Sequence, residues 1–468
     1  MTLGLSAAAE GGAGEGSGGS GELPAGWARA TLGELGVEVQ PGFASGKHNR
    51  DGDGIVHLRP MNITRNGAID LSDARYVMDE SDRRVEYGDV IFNNTNSPAL
   101  VGKTAWFGSL EPAAYSNHMT RLRGPEGLDS KFLAIQLHWL WFSGYFKTVL
   151  NNHVNQASVA RKVLLATEIV VSPLPEQLRI VSEVEQQLDR IEAGETTLAV
   201  GLNKVEEFRK AVICSAIPDS LPSHWKSLTV GEAGSVDLGR QRHPTWHTGP
   251  DMKPYLRVAN VFEDYIDTSD VKEMDFSGTN GRYHLRVGDV LLNEGQSPHL
   301  LGRPAIYRGD PEGAAFQNTL IRFRPNVDIT PEWALLVFRR HMHTGRFMKE
   351  SRITTNIAHL SAARLKTIEF PFPPIDEQEE IVKQVRQQLE NADRMQAELG
   401  SVAQGSTRLR ASLLHAAFTG ALVPQDPADE PASVMLDRIR AVYGAKAPRK
   451  RAARKPRPTS PGQEELPS

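Results

Sequence analysis

The sequence contains almost no cysteine and no long apolar run. Its one cysteine, Cys214, excludes an internal disulfide bond and fits a reducing cytoplasm. The longest apolar stretch, Phe132–Phe146, is interrupted by polar residues and is shorter than the ~20 residues that a membrane-spanning helix needs. No positively charged and apolar leader begins the chain. We therefore expect a soluble, cytoplasmic protein without a membrane partner, in which Phe132–Phe146 forms a buried helix.

The sequence also lacks a strong excess of either charge. Its formal net charge is −4, with 24% charged and 40% hydrophobic residues, as in ordinary globular proteins. This balance does not exclude nucleic acid, because binding depends on where the charges lie rather than on their sum. A chain of 468 residues is long enough for two or three domains.

Motifs of nucleotide-using and DNA-modifying enzymes are missing as well. The Pro-Pro pair in Phe372–Ile375 lacks the preceding Asp or Asn and the following aromatic residue of an adenine methyltransferase. Gly14–Gly19 fits G-x-G-x-x-G but lies in a Gly/Ser tail with no strand before it. The histidines do not show metal-ligand spacing with acidic partners, so we expect no metal site and no catalytic residues. A binding or scaffold protein is the better interpretation.

The sequence does contain an internal duplication. Leu23–Trp27 returns as Leu221–Trp225, and His57–Ile63 returns as Tyr255–Val261, both 198 positions later (27 to 225, 57 to 255). Further matches follow in the same order, ending with Leu174–Gln177 and its counterpart 201 positions on (177 to 378). A period of this length is too long for a solenoid or propeller and indicates a duplicated domain pair.

Each copy has a globular part and a long helix. Short β-like runs flanked by Gly, Pro, Asn and Asp, followed by a helix-like stretch, predict an α+β globule. Apolar residues every three or four positions then predict a coiled-coil seam in each copy. The predicted seam residues are Val184, Leu188, Ile191, Leu198, Leu202 and Val205 in the first copy, and Val385, Leu389, Ala392, Leu399, Ala403 and Leu409 in the second. We favour the two helices packing on each other over each packing on its own globule, because their seams match at one offset.

Several stretches resemble the specificity (S) subunits of type I restriction-modification systems, over about residues 24–440. These stretches are Tyr255–Val261, Gly288–Asn293 with Leu301–Arg303, Thr355–Leu360 leading into Phe372–Val382, and Ala417–Pro424 with Asp429–Ala432. The first copy diverges more than the second; for example, Asn93–Asn96 stands where the second copy has Asn293–Gln296.

The resemblance implies an α+β fold of two duplicated α/β target recognition domains, separated by two long antiparallel coiled-coil helices. The corresponding segments are a disordered Gly/Ser-rich tail (1–22), a first recognition domain (23–170), a first spacer helix (171–217), a second recognition domain (218–371), a second spacer helix (372–418), a C-terminal segment (419–444) and a disordered basic tail (445–468). A helix from 177 to 215 would be ~58 Å long at ~1.5 Å per residue and would set the distance between two DNA half-sites.

The resemblance also implies function and partners. The chain would read a bipartite site on double-stranded DNA and guide two methyltransferase subunits and two restriction subunits to it. It would hold no cofactor itself, whereas the partners would use S-adenosylmethionine, ATP and Mg²⁺. The target adenine would be flipped out of the duplex into a methyltransferase pocket.

Polar and basic residues in probable loops are the candidates for DNA contact. They are Lys47, His48, Asn49, Arg50, Asn94 and Asn96 in the first copy, and Arg240, Gln241, Arg242, Glu294 and Gln296 in the second. For the matched pair Lys103 and Arg303 we expect phosphate contacts, which would position each globule on the duplex. Three other interpretations remain open: a coiled-coil adaptor that joins proteins without DNA, an enzyme of unfamiliar type, and an inactive specificity subunit.

Overall fold

The computed structural model describes residues 22–45, 47–78, 81–153, 156–354 and 357–446. Both predicted tails, apart from their innermost residues, lie outside this part of the chain, as do Thr355 and Asn356 of the resemblance motif. The chain divides into two compact units. The first unit combines Met1–Glu195 with Gln404–Ser468, and the second unit is Thr196–Ala403.

The first copy contributes twelve described strands and three short helices before its long helix. The strands are β1 (Ala28–Thr31), β2 (Glu38–Pro41), β3 (Ile55–Leu58), β4 (Tyr76–Val77), β5 (Val90–Asn93), β6 (Thr95–Asn96), β7 (Thr104–Trp106), β8 (Ala114–Tyr115), β9 (Met119–Arg123), β10 (Asn151–His153), β11 (Gln156–Ser158) and β12 (Glu168–Val171). The helices are α1 (Ser130–Phe142), α2 (Tyr145–Val149), α3 (Arg161–Leu165) and the long α4 (Leu174–Ser215).

The second copy repeats this order, with one additional short helix. Its strands are β13 (Lys226–Thr229), β14 (Gly234–Leu238), β15 (Met252–Leu256), β16 (Lys272–Asp275), β17 (Val290–Asn293), β18 (Gly295–Gln296), β19 (Pro304–Ile306), β20 (Ala315–Phe316), β21 (Leu320–Pro325), β22 (Arg352–Thr354), β23 (Ile357–His359) and β24 (Glu369–Phe372). Its helices are α5 (Val230–Ala233), α6 (Pro331–His343), α7 (Arg346–Lys349), α8 (Ala362–Leu365) and the long α9 (Ile375–Thr419), after which α10 (Ala432–Lys446) follows.

Both copies build the same four sheets. The first copy orders them β2-β9-β5-β7, β4-β3-β8, β10-β11-β6 and β1-β12. The second copy orders them β14-β21-β17-β19, β16-β15-β20, β22-β23-β18 and β13-β24, strand for strand the same. The strand pairs are antiparallel except for β3 with β8 and β15 with β20. The predicted duplication and the α+β class are therefore confirmed.

The central strand of each large sheet is buried on both faces. In β5, Val90 and Phe92 join the core that contains α1, whereas Ile91 joins a separate core beneath β3 and β8. Alternate residues of a strand point to opposite faces, so the run of four buried residues in β5 means that both of its faces are covered. In β17, Val290 and Leu292 take the same role as Val90 and Phe92.

The long helices pack against each other within each unit, and they run antiparallel. In the first unit, Val184 near the start of α4 shares a core with Leu414 and Ala417 near the end of α9. In the second unit, Ile213 near the end of α4 packs in one core with Val385 near the start of α9.

Almost all the predicted seam residues are at least partly buried in the structure. Val184, Ile191, Val205 and Ala392 are buried, and Leu188, Leu198, Leu202, Val385, Leu389, Leu399 and Ala403 are partly buried.

Leu409 departs from the prediction, because its side chain is 56% exposed. A spacing of three and four residues from Ala403 selects positions 406 and 410 instead. Those positions hold Ser406 and Arg410, which bind Glu195 of α4. The apolar character of Leu409 had suggested a position that the helical phase does not support.

The C-terminal segment completes the first unit. The backbone N–H of Ala432 donates to the carbonyl of Gly26 at 2.8 Å, and Arg179 in α4 forms an ion pair with Asp429 at 2.7 Å. Leu436 of α10 is buried in the same core as α1. Among the described helices none is both apolar and long enough to cross a membrane.

Candidate nucleic-acid interface

The loop between β2 and β3 carries the first group of predicted DNA-contacting residues. Lys47, His48 and Arg50 are exposed on it. His48 Nε2 lies 2.9 Å from His57 Nδ1, which anchors the loop to β3. Asn49 instead folds the loop: its Nδ2 donates to the carbonyl of Asp53 at 2.8 Å, and its Oδ1 accepts from backbone N–H groups. Lys47 and Arg50 therefore remain the better candidates for DNA contact in this loop.

The equivalent loop of the second copy divides its candidates in the same way. Gln241 and Arg242 are exposed, whereas Arg240 is buried. The Arg240 guanidinium lies 4.0 Å from the centre of the Trp246 ring and donates to the carbonyl oxygen of Asp275. Arg240 thus holds the base of the loop, and its position does not support the predicted DNA contact.

Lys103 and Arg303, predicted to contact phosphates, lie largely inside the globules. Lys103 is 5% exposed, and its ammonium donates to the carbonyl of Ile63. Burial, together with the positive charge of the nearby Arg65, lowers the pKa of Lys103 to about 8. The Arg303 guanidinium is partly buried at 4.6 Å from the centre of the Phe262 ring, and burial lowers its pKa. Both cations are internal packing groups, which does not support a phosphate contact by either.

The candidates beside β6 and β18 are partly buried and mostly bonded within the protein. Asn94 donates to Thr95 Oγ1 at 3.0 Å and accepts from Thr120 Oγ1 at 3.1 Å. Asn96 Oδ1 accepts from the Ser97 N–H at 2.8 Å. These bonds shape the turn after β6 and leave only part of each amide for a ligand.

In the second copy the matching turn has different side chains and a similar geometry. Gln296 Oε1 accepts from the Ser297 N–H at 3.0 Å, as Asn96 does in the first copy. Glu294 Oε2 lies 3.2 Å from Nδ1 of His359, a residue of the neighbouring strand β23. The turn is thus coupled to the β22–β23 hairpin.

Sequence reasoning missed the hairpins β10–β11 and β22–β23, each of which pairs with one of these turns. Asn151, Asn152 and Gln156 of the first hairpin are exposed, and Ala157 at its centre is fully buried. A strand is predicted from alternating apolar residues, and this stretch has only one inward apolar side chain. Its pairing with β6 becomes visible only in the folded chain.

A buried glutamine fixes each long helix to its globule. Gln177 Oε1 accepts from the N–H of Asp129 at 2.8 Å, and its Nε2 donates to the carbonyls of Ser172 and Gly127. Gln378 makes the same set of bonds in the second copy, to Thr330, Pro373 and Asp328. The matched sequence motif at the start of each long helix thus couples the helix to the domain that precedes it.

The described part of the chain shows no group of three His, Cys, Asp or Glu residues that could hold a metal ion. Each copy instead presents one set of exposed polar loops and one hairpin, supported by equivalent sheets.

Comparison with known proteins gives one consistent result. The family model described as type I restriction modification DNA specificity domain matches residues 224–399. The EcoKI specificity subunit of Escherichia coli (strain K12) is 23% identical over 465 residues, covering 93% of this chain and 99% of that protein. The StySPI specificity subunit of Salmonella potsdam is 24% identical over 463 residues, covering 91% and 98%.

Solved structures agree at the level of the fold. A chain from a study of complex assembly and conformational transition of the type I R-M system has a TM-score of 0.68 and 19% identity, covering 86% of this chain and all of that one. The HsdS subunit from Thermoanaerobacter tengcongensis has a TM-score of 0.56 and 20% identity, covering 86% and 99%.

Proposed function

The chain belongs to the family of type I restriction-modification specificity subunits, and from this premise we propose that it is the DNA-recognition subunit of such a system. It reads a bipartite target on double-stranded DNA and directs a partner adenine methyltransferase and restriction subunits to it. As a specificity subunit, it is the non-catalytic component of the complex. The observation that carries the proposal is the duplication, in which two globules of identical strand order are each joined to one of two paired helices.

The physical basis of the proposal is that one globule can reach only a few base edges in the major groove. Two globules with different exposed residues can read two different half-sites, with an unread gap between them. Lys47, Arg50, Gln241 and Arg242 are the exposed loop residues we assign to DNA contact, and the basic pair in the first loop is suited to phosphates.

The duplication also bears on the partners. Two equivalent halves offer two equivalent positions, so we propose that two methyltransferase subunits and two restriction subunits assemble on one chain. S-adenosylmethionine, ATP and Mg²⁺ would then act in those partners, with no cofactor in this chain. Such a complex would work on DNA in the cytoplasm.

The deciding experiment is methylome sequencing of a host that expresses the partner methyltransferase, with and without this chain. We expect a split, adenine-methylated motif that is present only with the chain. If the complex assembles and no motif appears, the proposal is refuted and a protein-joining coiled-coil adaptor or an inactive subunit takes its place. Methylation by the chain without any partner would instead indicate an enzyme.

A further inference from the structure

The small sheet β10-β11-β6 has two faces of different character. Its register places Asn152, Ala157 and Asn96 in one row across the three strands. Ala157 is fully buried, so this row belongs to the inward face, although Asn152 on the edge strand β10 is itself exposed. Neighbouring positions along each strand point the other way and form the outward face. The described side chains of that outward face are all polar: Asn151, Gln156, Ser158 and Thr95.

The second copy keeps the frame of this sheet and changes its outward face. Ala358 pairs with Gln296 and is fully buried, as Ala157 is in the first copy. The outward positions equivalent to Gln156, Ser158 and Thr95 hold Ile357, His359 and Gly295. The inward alanine is therefore common to both copies, whereas these outward residues all differ.

A constant frame with different exposed side chains is what two readers of different DNA half-sites require. A two-stranded β-ribbon also has dimensions that the major groove of DNA admits. We infer that the outward faces of the β10–β11 and β22–β23 hairpins read base edges, one hairpin for each half-site. This inference rests on the proposed function and names the element that carries it out.

The chemistry of the first hairpin indicates which base it reads. Asn151 and Gln156 are exposed, and within the described residues their side-chain amides make no hydrogen bond. In contrast, the amides of Asn49 and Asn94 are occupied in shaping their own loops. A free amide can donate an N–H to adenine N7 while its oxygen accepts from the adenine N6 amino group, which is the bidentate contact that Asn and Gln make with adenine. We therefore assign adenine recognition to Asn151 and Gln156.

The second hairpin offers different groups at the same positions. Ile357 is half exposed and apolar, which suits the methyl group of thymine. His359 presents an imidazole held by Glu294 at 3.2 Å. The two half-sites are therefore expected to differ in sequence.

The test uses the full chain, co-expressed with its methyltransferase partner, and reads the methylome. We expect Asn151→Ala and Gln156→Ala each to reduce the preference for the original motif. The ratio of its methylation to that of sites changed at one position of the first half-site should fall roughly 10- to 100-fold. The second half-site and the gap should stay as they are. Ile357→Gln should change the second half-site alone.

Lys162→Ala is the matched control, because Lys162 is an exposed cation on α3, outside the sheet. It should leave both half-sites unchanged, because Lys162 lies outside the two hairpins to which base reading is assigned. The inference is overturned if the Asn151/Gln156 double variant methylates the original motif normally, and the proposed function then still stands. It is also overturned if methylation falls with no change in base preference. Absence of a split motif with the unaltered chain would refute the proposed function itself.

Discussion

Gln177 fastens the start of the first long helix to its own globule, and its loss should destabilise the first unit. The residue is fully buried. Its amide bonds three backbone groups: the carbonyls of Ser172 at 2.8 Å and Gly127 at 3.2 Å, and the N–H of Asp129 at 2.8 Å. Gln177→Ala removes all three bonds and leaves these backbone groups without the partner that Gln177 provides.

The expected cost follows from the number of groups left without a partner. A buried donor or acceptor that loses its partner costs about 1–3 kcal/mol. Three such groups, one of them with a longer and weaker bond, give about 3–5 kcal/mol once partial relaxation is allowed for. This is a large part of the roughly 5–15 kcal/mol by which a domain is stable. Gln378→Ala should cost a similar amount in the second unit, because Gln378 makes the equivalent three bonds.

The assay is urea unfolding followed by hydrogen exchange and mass spectrometry, which resolves the two units. Gln186→Ala is the control, because Gln186 lies on the exposed side of the same helix and should change stability by no more than about 0.5 kcal/mol. A Gln177→Ala variant as stable as the control would refute the reasoning. So would a variant that loses protection in the second unit as much as in the first.

Three further predictions concern the helix pair and a buried histidine. Glu195→Ala should lower the free energy of unfolding in urea by about 1–2 kcal/mol, because it leaves the mostly buried Arg410 without its carboxylate partner. Leucine at both 195 and 410 should recover most of this loss. A double-mutant cycle that shows no coupling between the two residues would contradict the prediction. Burial lowers the pKa of His138 from 6.5 to about 4, so the unfolded chain binds more protons between these values and stability should fall as the pH drops from 6.5 to 4, by about 3 kcal/mol. His138→Gln should flatten that part of the pH profile, and an unchanged profile would exclude the assignment. One heptad inserted into both long helices, between positions 195 and 209 and between 396 and 410, should lengthen the unread gap by about 3 base pairs, at ~1.5 Å per residue and ~3.4 Å per base pair. Methylome sequencing that shows altered half-sites with an unaltered gap would contradict the spacer model.

The sequence was sufficient to predict the duplication and the helix pair, because both depend on spacing. Matched motifs give the first, and an apolar residue every three or four positions gives the second. It was not sufficient for Lys103 and Arg240, whose charge suggested exposure. Long side chains can bury their aliphatic part and carry the charged end to an internal carbonyl, which only the fold reveals. The β10–β11 hairpin was not predicted for a related reason, because its strands are defined by pairing with the distant β6 rather than by an apolar pattern.

The polar positions in the seam give a physical reason why the two helices run antiparallel. Glu195 binds Arg410 at 3.0 Å in the first unit, and Arg209 binds Gln396 at 2.7 Å in the second. At the copy offset of 201, Glu195 corresponds to Gln396, and Arg209 corresponds to Arg410 (195 to 396, 209 to 410). If the helices ran parallel with these equivalent positions side by side, the two arginines would face each other and Glu195 would face the amide of Gln396. Antiparallel pairing instead gives each arginine an acceptor, so polar contacts of this kind can select orientation and register, at a cost in stability that an apolar seam would not carry.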